Sequence, residues 1–141
     1  MAHAIIEYSA NLEDKVDLDN LISTVHEACL NTGVFPLTGM RTRGARRDYY
    51  KIANGKIDAC FIHLQLKLGP GREEEVKKKA MEKVFEALRA FVQPLMDTSP
   101  LALSIEVFEL PAVLRINKHN LADYVSPEEA NIGKKEAANA G

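Results

Sequence analysis

The sequence predicts an α+β fold, a two-layer β-α-β repeat with two helices packed on one face of a single four-stranded sheet. Three observations carry this expectation. Apolar residues alternate with polar ones near residues 3–9, 60–68 and 101–110, the period-two signature of half-buried strands. Two other stretches repeat their apolar residues at helical spacing. The order strand, helix, strand then occurs twice, in halves of about 50 residues, long enough for a β-α-β unit. Right-handed crossovers put both helices on the same side of the sheet, so its opposite face needs cover. Phe61 and His63 point that way, and oligomerisation is the natural solution.

The first strand alternates His3, Ile5 and Glu7 on one side with Ala4, Ile6 and Tyr8 on the other. In "KVDLDNLISTVHEACLNTG", Leu18, Leu21, Ile22, Val25 and Cys29 form an apolar stripe, Asp17 is a plausible N-cap and Gly33 a stop. Residues 40–53 are β-compatible in "MRTR" and "RDYYKIA", and Asn54-Gly55 is the pair favoured in tight hairpins, which predicts neighbouring second and third strands. "ACFIHLQLKLG" is the clearest strand: Cys60, Ile62, Leu64, Leu66 and Leu68 give it one dry face. After "GPGR", a second helix carries Val76, Ala80, Val84, Leu88, Phe91, Val92 and Leu95 as its stripe, and "LALSIEVFEL" closes the core. From residue 126 the composition is poor in large apolar groups, so 1–125 reads as the domain and 126–141 as a flexible tail.

With 46% hydrophobic and 27% charged residues the chain has the balance of an ordinary globular domain, and its 141 residues suffice for one core. No apolar run reaches the roughly 20 residues that span a bilayer, so no membrane partner is expected. The start lacks the basic segment, apolar core and cleavage site of a secretory signal, which predicts a cytoplasmic location. Cys29 and Cys60 lie inside apolar patterns and read as reduced core thiols. A net charge of −2 argues against a general nucleic-acid partner, so any anion site is local.

Familiar catalytic patterns are absent: no Gly-x-Ser-x-Gly, Walker loop, His-Glu-x-x-His or Cys-x-x-Cys occurs. His3, His26, His63 and His119 have no spacing that implies a metal or a triad; His26 reads as a helix-surface residue and His63 as an interface residue. Glu7, Glu106 and Glu109 lie in strands and receive no catalytic role. "GPGR" is a strand-to-helix turn whose Arg72 sits beside a helix N-terminus, where backbone N–H groups already favour an anion. "MRTRGARRDYYK" is first a charged edge strand, but alternation puts Arg41 and Arg43 on one face, where two guanidinium groups can converge on one dianion. Finally, methionine before a small residue is expected to be removed, exposing the Ala2 α-amine at the head of a strand. Such amines titrate near pH 7.7–8.0 in general, and burial or neighbouring cations bring them closer to neutrality, which makes Ala2 a usable general base.

"HAIIEYSANL", "TGVFPLTGMRTR", "ANGKIDACFIHLQLKLGPGR" and "LALSIEVFEL" together resemble the 5-carboxymethyl-2-hydroxymuconate isomerase family of the tautomerase superfamily, in order and with similar spacing through residue 121. The resemblance implies a tautomerase-like mixed sheet whose two half-initiating strands are central and antiparallel, an order preferred over the one the Asn54-Gly55 turn suggests, assembled as a homotrimer. It also implies a cofactor-independent isomerase, without metal, acting on a carboxylated 2-hydroxymuconate-type dienol in homoprotocatechuate (4-hydroxyphenylacetate) catabolism. The family's base is an amino-terminal proline nitrogen, with arginines that bind carboxylate and stabilise enolate charge. The arginines of its Gly-x-Arg-x-Arg segment fall on Arg41 and Arg43, and the one ending its Gly-x-Gly-Arg turn falls on Arg72. Where the family has proline, this chain has Ala2, a primary amine. Three readings follow: an isomerase with Ala2 as base and Arg41 and Arg72 as electrostatic partners, a catalytically impaired or ligand-binding relative, and a carbonyl enzyme that forms a Schiff base through the primary amine.

Overall fold

In a computed structural model of the protein, which describes residues 1–125, four strands and two helices build two layers. The expected tail, 126–141, lies outside the described residues. Strand β1 spans Ala2–Ser9, helix α1 Leu18–Asn31, β2 Met40–Arg47, β3 Cys60–Leu68, helix α2 Glu74–Met96 and β4 Leu101–Glu109. Three short 3-10 turns occupy Ala10–Asp14, Leu37–Gly39 and Leu121–Asp123.

The strand order is β2-β1-β3-β4, with β1 parallel to β2, antiparallel to β3, and β3 parallel to β4. The sheet is therefore mixed, and the two strands that open the halves are central and antiparallel, as the family resemblance implies. Each helix is the crossover between two parallel strands. α1 starts where Asp17 caps it, its side chain accepting from the Asn20 N–H at 3.1 Å.

The core fills the space between the helices and one sheet face. Ala2, Ala4, Ile6 and Tyr8 of β1 and Cys60, Ile62, Leu64, Leu66 and Leu68 of β3 are buried there. From the helix side come Leu21, Val25 and Cys29 of α1 and Ala80, Val84, Leu88 and Val92 of α2. Burying each large aliphatic side chain contributes about 1.5–3 kcal/mol. Both cysteines are free and buried, and burial pushes the Cys29 thiol up to about 12.

Three expectations are corrected. The Asn54-Gly55 pair makes no hairpin: Gly55, at φ 74°, donates its N–H to the Ile52 carbonyl within a loop, and β2 pairs with β1 instead of β3. The crossover through α1, which buries that helix's stripe, governs the pairing over local turn chemistry. The strand also stops at Arg47, so residues 48–53 add nothing to the sheet. Val76 is 43% exposed, one turn too early on α2 to reach the core.

The outer face carries His3, Ile5 and Glu7 of β1 with Phe61, His63, Gln65 and Lys67 of β3, all only partly covered. After β4 the chain continues as an arm that hydrogen-bonds once to the sheet, Leu110 N–H to the Leu68 carbonyl at 2.8 Å. It then runs with Val113, Leu114 and Ile116 exposed and returns to set Leu121–Asp123 against Leu37–Gly39.

Candidate active site

The register of β1 decides where the amino end lies. Ala2 is paired with Met40, the first residue of β2, and with Leu68, the last residue of β3. The terminus therefore emerges in the middle of the sheet, between the turn that enters β2 and the "GPGR" turn that leaves β3. Ala2 itself is 1% exposed. The backbone of Met1 lies against Gly39, where an added Cβ would sit 3.4 Å from the Met1 Cα and 3.6 Å from its nitrogen.

A cavity of about 180 Å³ opens here, lined by Met1, Ala2, Val34, Pro36, Arg72 and Arg115 among others. Gly71, at φ 109°, gives the "GPGR" turn a conformation that L side chains rarely adopt. The turn aims Arg72 at backbone oxygens: Nη2 donates to the Val34 carbonyl at 2.9 Å and Nη1 to Gly69 at 3.3 Å. Arg72 thus ties the exit of β3 to the segment before β2 while facing the terminus.

Arg41 stands opposite His3 in the register and does not line the cavity itself. Its Nη1 is buried without a hydrogen-bond partner among the described residues. Arg41 also borders a second hollow beside His26 and Thr42. His26 is half-buried with Nδ1 2.7 Å from the Thr42 hydroxyl, which corrects the expectation of a plain surface residue. Arg43 shares the outer face with Arg41, but its guanidinium is turned to His3, Nη1 donating to Nδ1 at 3.0 Å. Guanidinium only donates, so that ring nitrogen is the acceptor. Ala2 and Arg72 therefore come together, with Arg41 adjoining them and Arg43 set apart on the neighbouring sheet surface.

Arg115 was not singled out by sequence reasoning. It belongs to the arm beyond β4, and its guanidinium rests over Gly69, where an added Cβ would be 3.0 Å from Nη1. The available signal was a lone cation between Leu114 and Ile116, in a stretch with no regular period. His63 also proved better connected than expected, with Nδ1 2.6 Å from the Ser104 hydroxyl and Nε2 2.9 Å from the Glu106 carboxylate.

Electrostatically the pocket is one-sided. Among the described residues no carboxylate forms an ion pair with Arg41, Arg72 or Arg115. The proton affinity of the Met1 amine is lowered, first by burial and then by Arg115, Arg41 and Arg72. That of His3 is lowered by burial, then by Arg43, Arg41 and Lys67. An uncharged nitrogen among unpaired guanidinium groups can accept a proton from an anionic ligand while the cations hold its charge. No group of three or more His, Cys, Asp or Glu side chains is placed to hold a metal among the described residues. No helix there is long and apolar enough to cross a membrane.

The family model for 5-carboxymethyl-2-hydroxymuconate isomerase matches residues 2–125. The 5-carboxymethyl-2-hydroxymuconate Delta-isomerase of Escherichia coli is 36% identical over 121 residues, covering 86% of this chain and 96% of that protein. A crystal structure of a 5-carboxymethyl-2-hydroxymuconate delta-isomerase superposes with a TM-score of 0.80 at 28% identity, covering 88% of this chain and 92% of the other. The isomerase structure from Deinococcus radiodurans R1 gives 0.79 at 30% identity, with 89% and 95% covered.

Proposed function

The chain belongs to the 5-carboxymethyl-2-hydroxymuconate isomerase family, and from that premise we propose that it converts 5-carboxymethyl-2-hydroxymuconate to its unsaturated 2-oxo isomer with the terminal amine as general base. Once Met1 is removed, that amine belongs to Ala2. The reaction moves one proton from the dienol oxygen to the amine and returns one to a carbon of the conjugated chain, with no net redox change. Arg72 and Arg41 hold carboxylate and the dienolate that forms between the two transfers, each donor contributing on the order of a hundredfold in rate. Arg43 borders the site and tunes it through His3. The chemistry draws on no cofactor, and the setting is homoprotocatechuate breakdown in the cytoplasm.

The observation that supports this reading best is the placement of the terminus, in the central strand, inside a cavity whose cations lack carboxylate partners. The Ala2 departure from proline supports a second reading, an impaired relative that retains ligand binding. A homotrimer is proposed as well: Ile5, Phe61 and Phe108 on the outer face, with Val113, Leu114 and Ile116 on the arm, are apolar groups that neighbouring copies would cover.

Intact mass spectrometry with ultraviolet kinetics on the dienol tests both readings. Turnover by a chain lacking Met1 supports the isomerase. A silent native chain with activity gained in Ala2→Pro supports the impaired relative. Retained methionine with full turnover overturns the Ala2 base, and borohydride trapping with a 2-oxo acid exposes any Schiff base.

A further inference from the structure

The substrate class named above carries three carboxylates, two on the muconate skeleton and one on the carboxymethyl branch. Arg41 and Arg72 sit in the β-α-β repeat, one beside the central strand and the other tied to two backbone carbonyls. Arg115 comes from outside the repeat and reaches the cavity that Arg72 lines. Its sequence neighbours Leu114 and Ile116 are 87% and 101% exposed within the single chain, so packing inside one copy does not turn Arg115 toward the cavity. The guanidinium nevertheless turns inward over Gly69, a position whose missing Cβ leaves it room.

A cation placed beside Arg72, with both guanidinium groups at Gly69, is repelled by it, and among the described residues no carboxylate offsets that repulsion. The arrangement suits a cavity that is filled by a polyanion. We infer that Arg115 is a specificity-determining residue that binds the carboxymethyl carboxylate, the one carboxylate of the substrate that lies off the conjugated muconate skeleton. The inference rests on the isomerase reading for its substrate. Arg72, tied to two backbone carbonyls, serves the reacting skeleton with Arg41 adjoining the cavity; Arg115, delivered by the arm, reads the branch.

The test compares 5-carboxymethyl-2-hydroxymuconate with 2-hydroxymuconate, the same dienol without the branch, on the alkaline plateau where the amine is free in every variant. Arg115→Gln is expected to raise KM for the branched substrate about ten- to a hundredfold, the worth of a charge-assisted hydrogen bond. Its kcat stays within about threefold and KM for 2-hydroxymuconate within about twofold on the same scale. Arg115→Lys should recover part of the loss, because a point charge replaces a bidentate fork. Gly69→Ala, which crowds the guanidinium, should shift KM in the same selective direction. An equal rise for both substrates, or none for either, overturns the assignment. Calorimetry with propane-1,2,3-tricarboxylate and glutarate decides the matter without turnover: the native chain should prefer the tricarboxylate and Arg115→Gln should lose that preference. A native chain that prefers the tricarboxylate but leaves the dienol unchanged refutes the isomerase reading and retains the Arg115 subsite; one without the preference refutes the subsite.

Discussion

Replacing Arg41 with methionine should make the protein more stable and less active at once. Its Nη1 is buried with no partner among the described residues, and a buried donor left unsatisfied costs about 1–3 kcal/mol. Methionine keeps the apolar stem and removes the charge, so a gain of that size is expected. At about 2.1 cal/mol/K per residue, a domain of this size has an unfolding entropy of about 260 cal/mol/K, so each kcal/mol moves Tm by about 4 °C. The expected rise is therefore about 4–12 °C by circular dichroism at one fixed protein concentration, since assembly makes Tm concentration-dependent. The isomerase rate on the dienol should meanwhile fall by about a hundred- to a thousandfold, the usual effect of losing one donor aimed at developing negative charge. A fall in Tm with the rate preserved would refute the reasoning, because Arg41 would then be a structural residue.

Other predictions concern pH and packing. The proposed Ala2 base works only when unprotonated, and Ala2 lies buried beside the Met1 amine, whose proton affinity burial, Arg115, Arg41 and Arg72 lower, so the acid limb of kcat/KM is expected below the ordinary α-amine value near pH 8; Arg115→Gln or Arg41→Met should move it upward. His3 binds a proton less readily folded than unfolded, so the unfolded chain holds more protons between the folded value and about 6.5. Stability should therefore decline as pH falls through that window, measured by urea unfolding, and His3→Asn should flatten the decline. Leu64 is fully buried in the centre of β3, and Leu64→Ala should lower the unfolding free energy by about 2–5 kcal/mol in the same assay.

Most of the fold was legible because its elements carry strong periods. β3 alternates without a break, and the α2 stripe runs from Ala80 to Val92. The strand order was not legible from local signals. Asn54-Gly55 has the chemistry of a hairpin, but turn chemistry acts over four residues whereas the crossover buries a whole helix face. The resemblance to a known family supplied the central antiparallel pair that the residues alone left open. Arg41 and Arg72 stood out as candidates because strand alternation, a glycine turn and the family resemblance mark them. Arg115 was hidden because its role depends on the space over Gly69, and the arm that brings it there has no period to read.

The pairing of Ala2 with Leu68 also bears on biosynthesis. β1 is synthesised before either flanking strand, and its antiparallel partner is the more distant of the two. On the ribosome the edge that faces β3 must wait uncovered until Leu68, near the midpoint of the polypeptide, has emerged. A segment delayed in this way is open to unwanted pairing with other nascent chains. Chaperone demand should therefore be highest early in translation and ease once β3 docks.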